Sequence, residues 1–192
     1  MMDTNIEKQI IDSAQSHGGL VTALDMKQRG VSPDTLLHWA RRHGKYSKLG
    51  RGIYSFDDLN ARENIDTADQ KWFLPLALAH DSKAYLHGIT VLMFFNLGYA
   101  AANYGLVRAG TTYKHDAGYG VIVEPYKKID RVDTLRGIRI QTLVQAFAEA
   151  RPMRADYLRD AIEESYDRNL INETEYDKLV HDWKHKYGKY VG

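Results

Sequence analysis

Hydrophobic residues in the first third of the chain recur at helical spacing in three segments. The first segment runs from about Asp3 to Ser16, and the pair Gly18-Gly19 follows it. Its apolar face consists of Ile6, Ile10, Ile11 and Ala14. This spacing predicts an amphipathic first helix that ends at the glycine pair, because glycine is a poor helix former.

Two further helical segments follow, with a compact turn between them. Thr22 and Asp25 have the spacing of a capping box, which predicts a short helix from Ala23 to Arg29. Residues 30–33 read Gly-Val-Ser-Pro, a sequence that ends one helix and begins the next. The third helix is expected to end at Gly44. Its apolar stripe is Leu36, Leu37 and Ala40, with Trp39 at the edge.

A short hairpin is predicted directly after the third helix. Lys45–Leu49 and Ile53–Phe56 have the composition of two strands, and residues 50–52, Gly-Arg-Gly, predict a tight turn with Arg51 at its tip. Leu20 and Val21 are expected to add a third, very short strand. Two helices joined by a short turn and followed by a two-stranded wing form a winged helix-turn-helix, an arrangement that reads DNA.

The rest of the chain alternates between helical and strand patterns, so the predicted fold class is α+β. Residues 57–70 are polar and nearly free of large apolar side chains. We therefore predict a winged helix at 1–57, a linker at 58–70 and a mixed domain at 71–192. Helices are expected at 71–80, 82–97, 142–150, 154–169 and 172–186, and strands at 104–109, 121–123 and 138–140.

Positive charge is concentrated on the predicted winged helix. The whole chain has a net charge of +1, but residues 1–56 carry eight Lys and Arg against five Asp and Glu. Between Arg29 and Arg51 there are six basic residues and one acid, Asp34. Such a concentration on one small element is expected for binding to phosphates.

The predicted DNA-binding residues lie on the third helix and on the wing. They are Ser32, Thr35, His38, Arg41, Arg42, Lys45, Lys48 and Arg51. Those expected at base edges are Thr35, His38 and Arg42. Those expected near phosphates are Arg41, Lys45 and Lys48. Arg51 is expected to enter an adjacent minor groove. Asp34 either accepts a hydrogen bond from a cytosine or, as the preferred interpretation, supports the helix dipole. A solvated helix face and a protein-docking module are the alternative interpretations of the same pattern.

Other candidate chemistry is weaker. His115, Asp116 and Glu124 allow a metal site or a nuclease-like Asp…Glu-x-Lys motif, but Lys127 lies one residue too far along for that motif. The preferred interpretation is that these are polar residues on the surface of a glycine-rich loop. His80 and His87 have no acidic partner at ligand spacing along the chain and are expected to be core or interface histidines. We therefore assign no catalytic, cofactor-binding or metal-binding residue, and we predict no enzyme activity.

Composition removes several classes of site. The chain has no cysteine, which excludes a disulfide, a thiolate metal site and a cysteine nucleophile. This absence fits a cytoplasmic protein, and the acidic, polar N-terminus predicts no signal peptide. The longest apolar run, Ile89–Leu97, is too short to span a bilayer.

Three motifs resemble the AbiEi-type antitoxins of abortive-infection systems. The best of them is the wing sequence KLGRGIY at residues 48–54, which follows the helix order described above. Residues 84–91, AYLHGITV, resemble the family's helix after the linker. Residues 137–147, GIRIQTLVQAF, resemble its strand-to-helix step.

The resemblance implies a regulator with two tasks. The N-terminal domain would bind inverted repeats of double-stranded DNA in its own promoter and repress its operon. The C-terminal domain would counter a nucleotidyltransferase-like toxin in a type IV toxin–antitoxin system, without a requirement for direct contact. From the residues alone, two alternatives stay open: a ligand-responsive winged-helix regulator with a pocket in the tyrosine-rich domain, and a winged-helix-targeted metal-dependent nuclease.

Overall fold

The computed structural model describes residues 4–56, 58–59, 67–102, 105–150 and 153–188. The chain divides into two compact units, Met1–Ala84 and Tyr85–Gly192, which are treated separately here. The elements of the first unit are α1 (Thr4–Ser16), β1 (Leu20–Thr22), α2 (Ala23–Gln28), α3 (Pro33–His43), β2 (Ser47–Gly50), β3 (Ile53–Ser55) and α4 (Thr67–Leu78). The predicted winged helix-turn-helix is therefore present.

The helix ends of the first unit follow the predicted signals. The Thr22 hydroxyl accepts a 3.0 Å hydrogen bond from the backbone amide of Asp25 at the start of α2. Ser32 is the N-cap of helix α3. The helix ends at Gly44, which has a left-handed backbone with φ of 76°. The three short strands form one antiparallel sheet in the order β1-β3-β2, so the predicted third strand is confirmed.

The core of the first unit is built around α3. Leu36, Trp39 and Ala40 are buried, whereas Leu37 is only partly buried. Trp39, at the edge of the predicted stripe, is also part of the core: it is 3% exposed, and its ring lies 5.1 Å from the Phe56 ring. A side chain as large as Trp39 reaches the interior from a flanking position, and this turns the helix so that Leu37 moves outward.

Helix α4 groups with the first unit and packs against β1. The Phe73 ring meets His17 edge-on with 5.0 Å between ring centres. This grouping differs from the predicted domain limits, which place residue 71 at the start of the second domain. Residues 57 and 60–66 of the boundary segment lie outside the described residues, so the limits 1–57, 58–70 and 71–192 stay a prediction.

The second unit is a mixed sheet followed by three helices, which agrees with the predicted α+β class. Its elements are β4 (Tyr85–Leu86), α5 (Ile89–Phe94), β5 (Gly105–Ala109), β6 (His115–Asp116), β7 (Val121–Pro125), β8 (Val132–Leu135), β9 (Ile138–Gln141), α6 (Leu143–Glu149), α7 (Ala155–Asp167) and α8 (Glu173–Tyr187). The strand order is β6-β7-β5-β4-β9-β8. Pairs β5–β7 and β4–β9 are parallel, and the other pairs are antiparallel.

One predicted helix of this unit was wrong. The segment 82–97, which includes the motif at 84–91, forms strand β4 and then the six-residue helix α5. Leu86 lies on a central strand of the sheet and pairs with Val107 on one side and Ile140 on the other. Burial on both sides gives a central strand the same apolar composition as a buried helix, so the pattern did not separate the two.

The sheet has one apolar and one polar face. Register places Leu86, Val107 and Val123 side by side, and all three are buried. The neighbouring positions Tyr85, Arg108 and Glu124 are likewise in register, so they share the opposite face. This polar face organises the charged cluster described below.

Candidate nucleic-acid interface

The outward side of α3 is defined by the residues it buries. Leu36, Trp39 and Ala40 face the core. At about 100° per residue, the opposite side of the helix is centred on Asp34, His38 and Arg41. All three are exposed. Two residues expected at base edges, His38 and Arg42, are also exposed, and the third, Thr35, is half-buried on the flank next to Arg42.

Ser32 and Thr35 are joined at the start of α3. The Ser32 hydroxyl accepts a 3.1 Å hydrogen bond from the Thr35 backbone amide, and the two side-chain oxygens lie 2.8 Å apart. Ser32 therefore satisfies an amide of the first turn, where the helix dipole is positive. The Ser32 hydroxyl therefore caps the helix at a position where we also expect contact with DNA.

Part of the positive charge counted in the sequence is compensated inside the domain. Arg29 forms a 3.0 Å ion pair with Asp25, and Asp25 also accepts a 2.6 Å bond from the Ser13 hydroxyl. Within the described ranges of the chain, Arg41 and Lys48 form no ion pair with a carboxylate. These two cations are therefore better placed to attract phosphates than Arg29 is.

The C-terminal end of α3 lies beside the wing. Burial is the main cause of a raised pKa at Tyr54 on β3. The positive charge of nearby Arg41 opposes this rise. Lys48 of β2 pairs with the same residue across the hairpin. Arg41, Lys45 and Lys48 are all exposed. The structure thus brings the residues expected near phosphates to neighbouring parts of one surface.

The wing tip is fixed to the beginning of α2. Gly52 has a left-handed backbone with φ of 69°, and its carbonyl oxygen accepts a 2.7 Å hydrogen bond from the Ala23 amide. Arg51 precedes it in the turn and is exposed. The side chain expected in a minor groove is therefore presented from a turn with a defined position.

An acidic partner at the end of α3 was missed by sequence reasoning. His43 stacks on Trp39, and its Nε2 lies 3.0 Å from a carboxylate oxygen of Asp58. The hydrogen bond from His43 lowers the pKa of Asp58, with a smaller contribution from Lys45. Asp58 belongs to the predicted linker, and no local sequence pattern relates it to the basic helix.

The candidate metal residues of the second unit are not brought together. His115 pairs with Val123 and therefore lies on the other side of the sheet from Glu124. Glu124 instead forms a 2.7 Å ion pair with Lys114. Among the residues that the structure describes, no group of three or more His, Asp or Glu side chains is arranged to hold a metal ion.

His87 is buried, as expected, and the partners it has come from elsewhere in the chain. Its ring is 3% exposed and lies between two carboxylates, with Nε2 3.6 Å from Glu124 and Nδ1 3.5 Å from Glu149. These partners belong to β7 and α6, so spacing along the chain does not connect them. One signal for these partners was available in the sequence. Polar side chains recur every second residue in the strands, and Arg108 lies inside an apolar run.

Comparison with known proteins supports the winged helix. Residues 8–56 match the family model described as "Transcriptional regulator, AbiEi antitoxin". The match confirms the family resemblance for this segment, which spans most of α1 to the end of the wing. No curated protein matches the chain. None of the helices within the described ranges has the length and hydrophobicity needed to cross a bilayer.

Proposed function

We propose, on the premise that residues 8–56 are a winged helix of the AbiEi antitoxin transcriptional regulators, that this chain is a sequence-specific repressor and the antitoxin of a type IV toxin–antitoxin system. The first unit binds inverted repeats in its own promoter and autoregulates its operon. The remainder of the chain counters a nucleotidyltransferase-like toxin, and direct contact with that toxin is not required. The protein acts in the cytoplasm.

One observation carries the DNA-binding part of the proposal. Exposed cations from α3, the following loop, β2 and the turn project from a single small fold, and Leu36, Trp39 and Ala40 of α3 are buried in its core. A recognition helix needs this division between a buried stripe and a free polar side. His38 and Arg42 then read base edges, and Arg51 enters the neighbouring minor groove.

The test is a footprint with the full chain on the DNA upstream of its gene. We expect protection of an inverted repeat, and we expect Arg42→Ala to relax the preference at one base step. Lys8→Ala on α1 is the matched control, because Lys8 is exposed but lies outside the assigned surface. Uniform coverage of all DNA, or an unchanged footprint with Arg42→Ala, would contradict the assignment.

A second candidate function is a ligand-responsive winged-helix regulator. It is favoured by a cavity of about 540 Å³ in the second unit, which exposes charged side chains of the sheet. A ligand that changes both the melting temperature and the operator affinity would distinguish this function from simple repression, because linked equilibria shift together. The nuclease alternative gains no support, since Glu124 is engaged by Lys114.

A further inference from the structure

The cavity of the second unit has a polar interior and a basic mouth. His87 and Arg108, which are 3% and 1% exposed, form its inner part. Lys114 and Lys127 also line it, and their side chains are 63% and 47% exposed, so they lie at the mouth. The cavity volume of about 540 Å³ lies within the range of small-molecule sites, and most of its lining side chains are charged or polar.

His87 has unused hydrogen-bonding capacity inside this cavity. Neither ring nitrogen has a hydrogen-bond partner among the described residues, although both are buried. The neighbouring oxygens of Glu124 and Glu149, at 3.6 and 3.5 Å, are beyond the usual hydrogen-bond length. Buried polar groups are nearly always hydrogen-bonded, so the His87 imidazole, which has only long ion-pair contacts, is able to bond to a ligand in the cavity.

The two glutamates beside His87 offer acceptors. Burial raises the pKa of Glu149. His87, Lys127 and Arg108 together lower this pKa by a larger amount, so the net shift is downward. The pKa of Glu124 is also lowered, against the effect of its own burial. Both groups are therefore ionised at neutral pH and can only accept hydrogen bonds.

The inner wall is held rigidly by buried polar contacts. Arg108 donates to Asp130 and, over 2.6 Å, to Glu149. Asp130 also accepts bonds from the Tyr85 hydroxyl at 2.6 Å and from the Gln141 amide at 3.1 Å. These contacts hold the guanidinium group of Arg108 in place through two of its nitrogen atoms, so Arg108 supports the inner wall of the cavity.

We propose that this cavity binds a small organic anion that carries N–H donors, a chemistry shared by nucleotides and dipeptides. The N–H groups face the oxygens of Glu124 and Glu149 and reach His87. The phosphate or carboxylate lies between Lys114 and Lys127 at the mouth and shares their ammonium groups with the carboxylates of Glu124 and Glu149, which lie 2.7 Å from them. Apolar walls formed by Leu106 and Ile122 accept the body of the ligand. This site is separate from the DNA-binding residues, and the inference does not rest on them.

Calorimetric titration of the full chain with two sets of probes tests the proposal. One set is the nucleoside 5′-monophosphates, with the nucleosides and inorganic phosphate as partial ligands. The other set is zwitterionic dipeptides such as glycylglycine, with their N-acetyl forms as the matched controls. We expect saturable binding within one set and clear weakening when either the anion or the N–H donors are removed. No binding by any probe of either set would overturn the proposal.

Variants at the mouth locate the binding without disturbing the core. Lys114→Gln and Lys127→Gln should each weaken binding about tenfold, the value of one charge-assisted hydrogen bond. Ala148→Phe, at an exposed position of α6 on the cavity wall, should block binding. Lys128→Gln is the control, since Lys128 is exposed but does not line the cavity. Binding that survives Ala148→Phe and both lysine substitutions would refute the site.

Discussion

The carbonyl oxygen of Gly52 accepts a 2.7 Å hydrogen bond from the backbone amide of Ala23, and this bond joins the wing tip to the first turn of α2. The two residues are also in close van der Waals proximity, because a Cβ atom added to Gly52 would lie 2.9 Å from the Ala23 Cβ. The position of Arg51, the residue before Gly52, therefore depends on a contact that only glycine permits.

Substitution of Gly52 should destabilise the wing by more than the strain of a left-handed backbone alone accounts for. Gly52 and Gly30 both have positive φ, at 69° and 80°, but a Cβ on Gly30 would have no atom within 4 Å. Gly30→Ala should therefore cost only the left-handed penalty of about 1–2 kcal/mol. Gly52→Ala adds the clash with Ala23, so its loss in free energy of unfolding and in DNA affinity should be larger.

Urea unfolding and DNA-binding titrations of the two glycine variants check this ordering. Equal losses of stability in the two variants would mean that the contact between Gly52 and Ala23 does not constrain the hairpin. A normal DNA affinity of a folded Gly52→Ala protein would remove the wing from the proposed DNA-binding surface.

The two tasks assigned to Ser32 can be separated. Ser32→Ala removes the N-cap of α3 and should lower the free energy of unfolding by about 1 kcal/mol. Ser32→Asp keeps a good cap and so should retain stability, but it adds negative charge at the proposed DNA surface. Thermal unfolding and DNA titration at one salt concentration compare them. If Ser32→Asp binds DNA as tightly as the natural protein, the N-terminus of α3 does not face DNA.

Lys48 should contribute to DNA binding through phosphate alone. Lys48→Gln is expected to weaken binding to all sequences alike and to reduce the slope of log affinity against log salt by about 0.9. Lys8→Gln on α1 should leave the slope unchanged. The slopes come from fluorescence anisotropy titrations at several salt concentrations, with operator and unrelated DNA. A change in sequence preference with Lys48→Gln would place that side chain at a base.

The winged helix was predictable because its signals are local. Thr22, Ser32 and Gly44 each act within one helical turn, and all three occupy the expected capping positions. Hydrophobic spacing then places the helices without knowledge of the rest of the chain. The assigned DNA contacts stay a prediction, since they depend on a partner molecule as well as on the fold.

The polar cluster of the second unit was not predictable by the same means. His87, Arg108 and Glu149 lie on different elements, and the strand order together with the packing of helix α6 brings them together. A mixed sheet with parallel pairs joins segments that are far apart in sequence, so no local pattern reports the contact. Strand β4 has only two residues, which is also why it was interpreted as part of a helix.

The cluster around Glu149 should make the stability of the second unit depend on pH. The pKa of Glu149 is lowered below its ordinary value of 4.5 in the folded protein, against the effect of burial. A lowered folded-state pKa gives stability that is fully present above the ordinary pKa and is lost as the pH falls through the folded-state value. Glu149→Gln should therefore lose about 2 kcal/mol at neutral pH, because Arg108 and Lys127 each lose a charged partner.

The matched control for this prediction is Glu163→Gln, which breaks an exposed ion pair with Arg159. Pairs of this kind contribute about 0.2–1 kcal/mol, so the control should change little. Urea unfolding monitored at neutral pH and down to about pH 3 compares the three proteins, and the deficit of Glu149→Gln should shrink below the ordinary carboxyl pKa. A deficit that stays constant across this range would show that the ionised carboxylate of Glu149 does not stabilise the fold, since protonation would then remove nothing that the glutamine lacks.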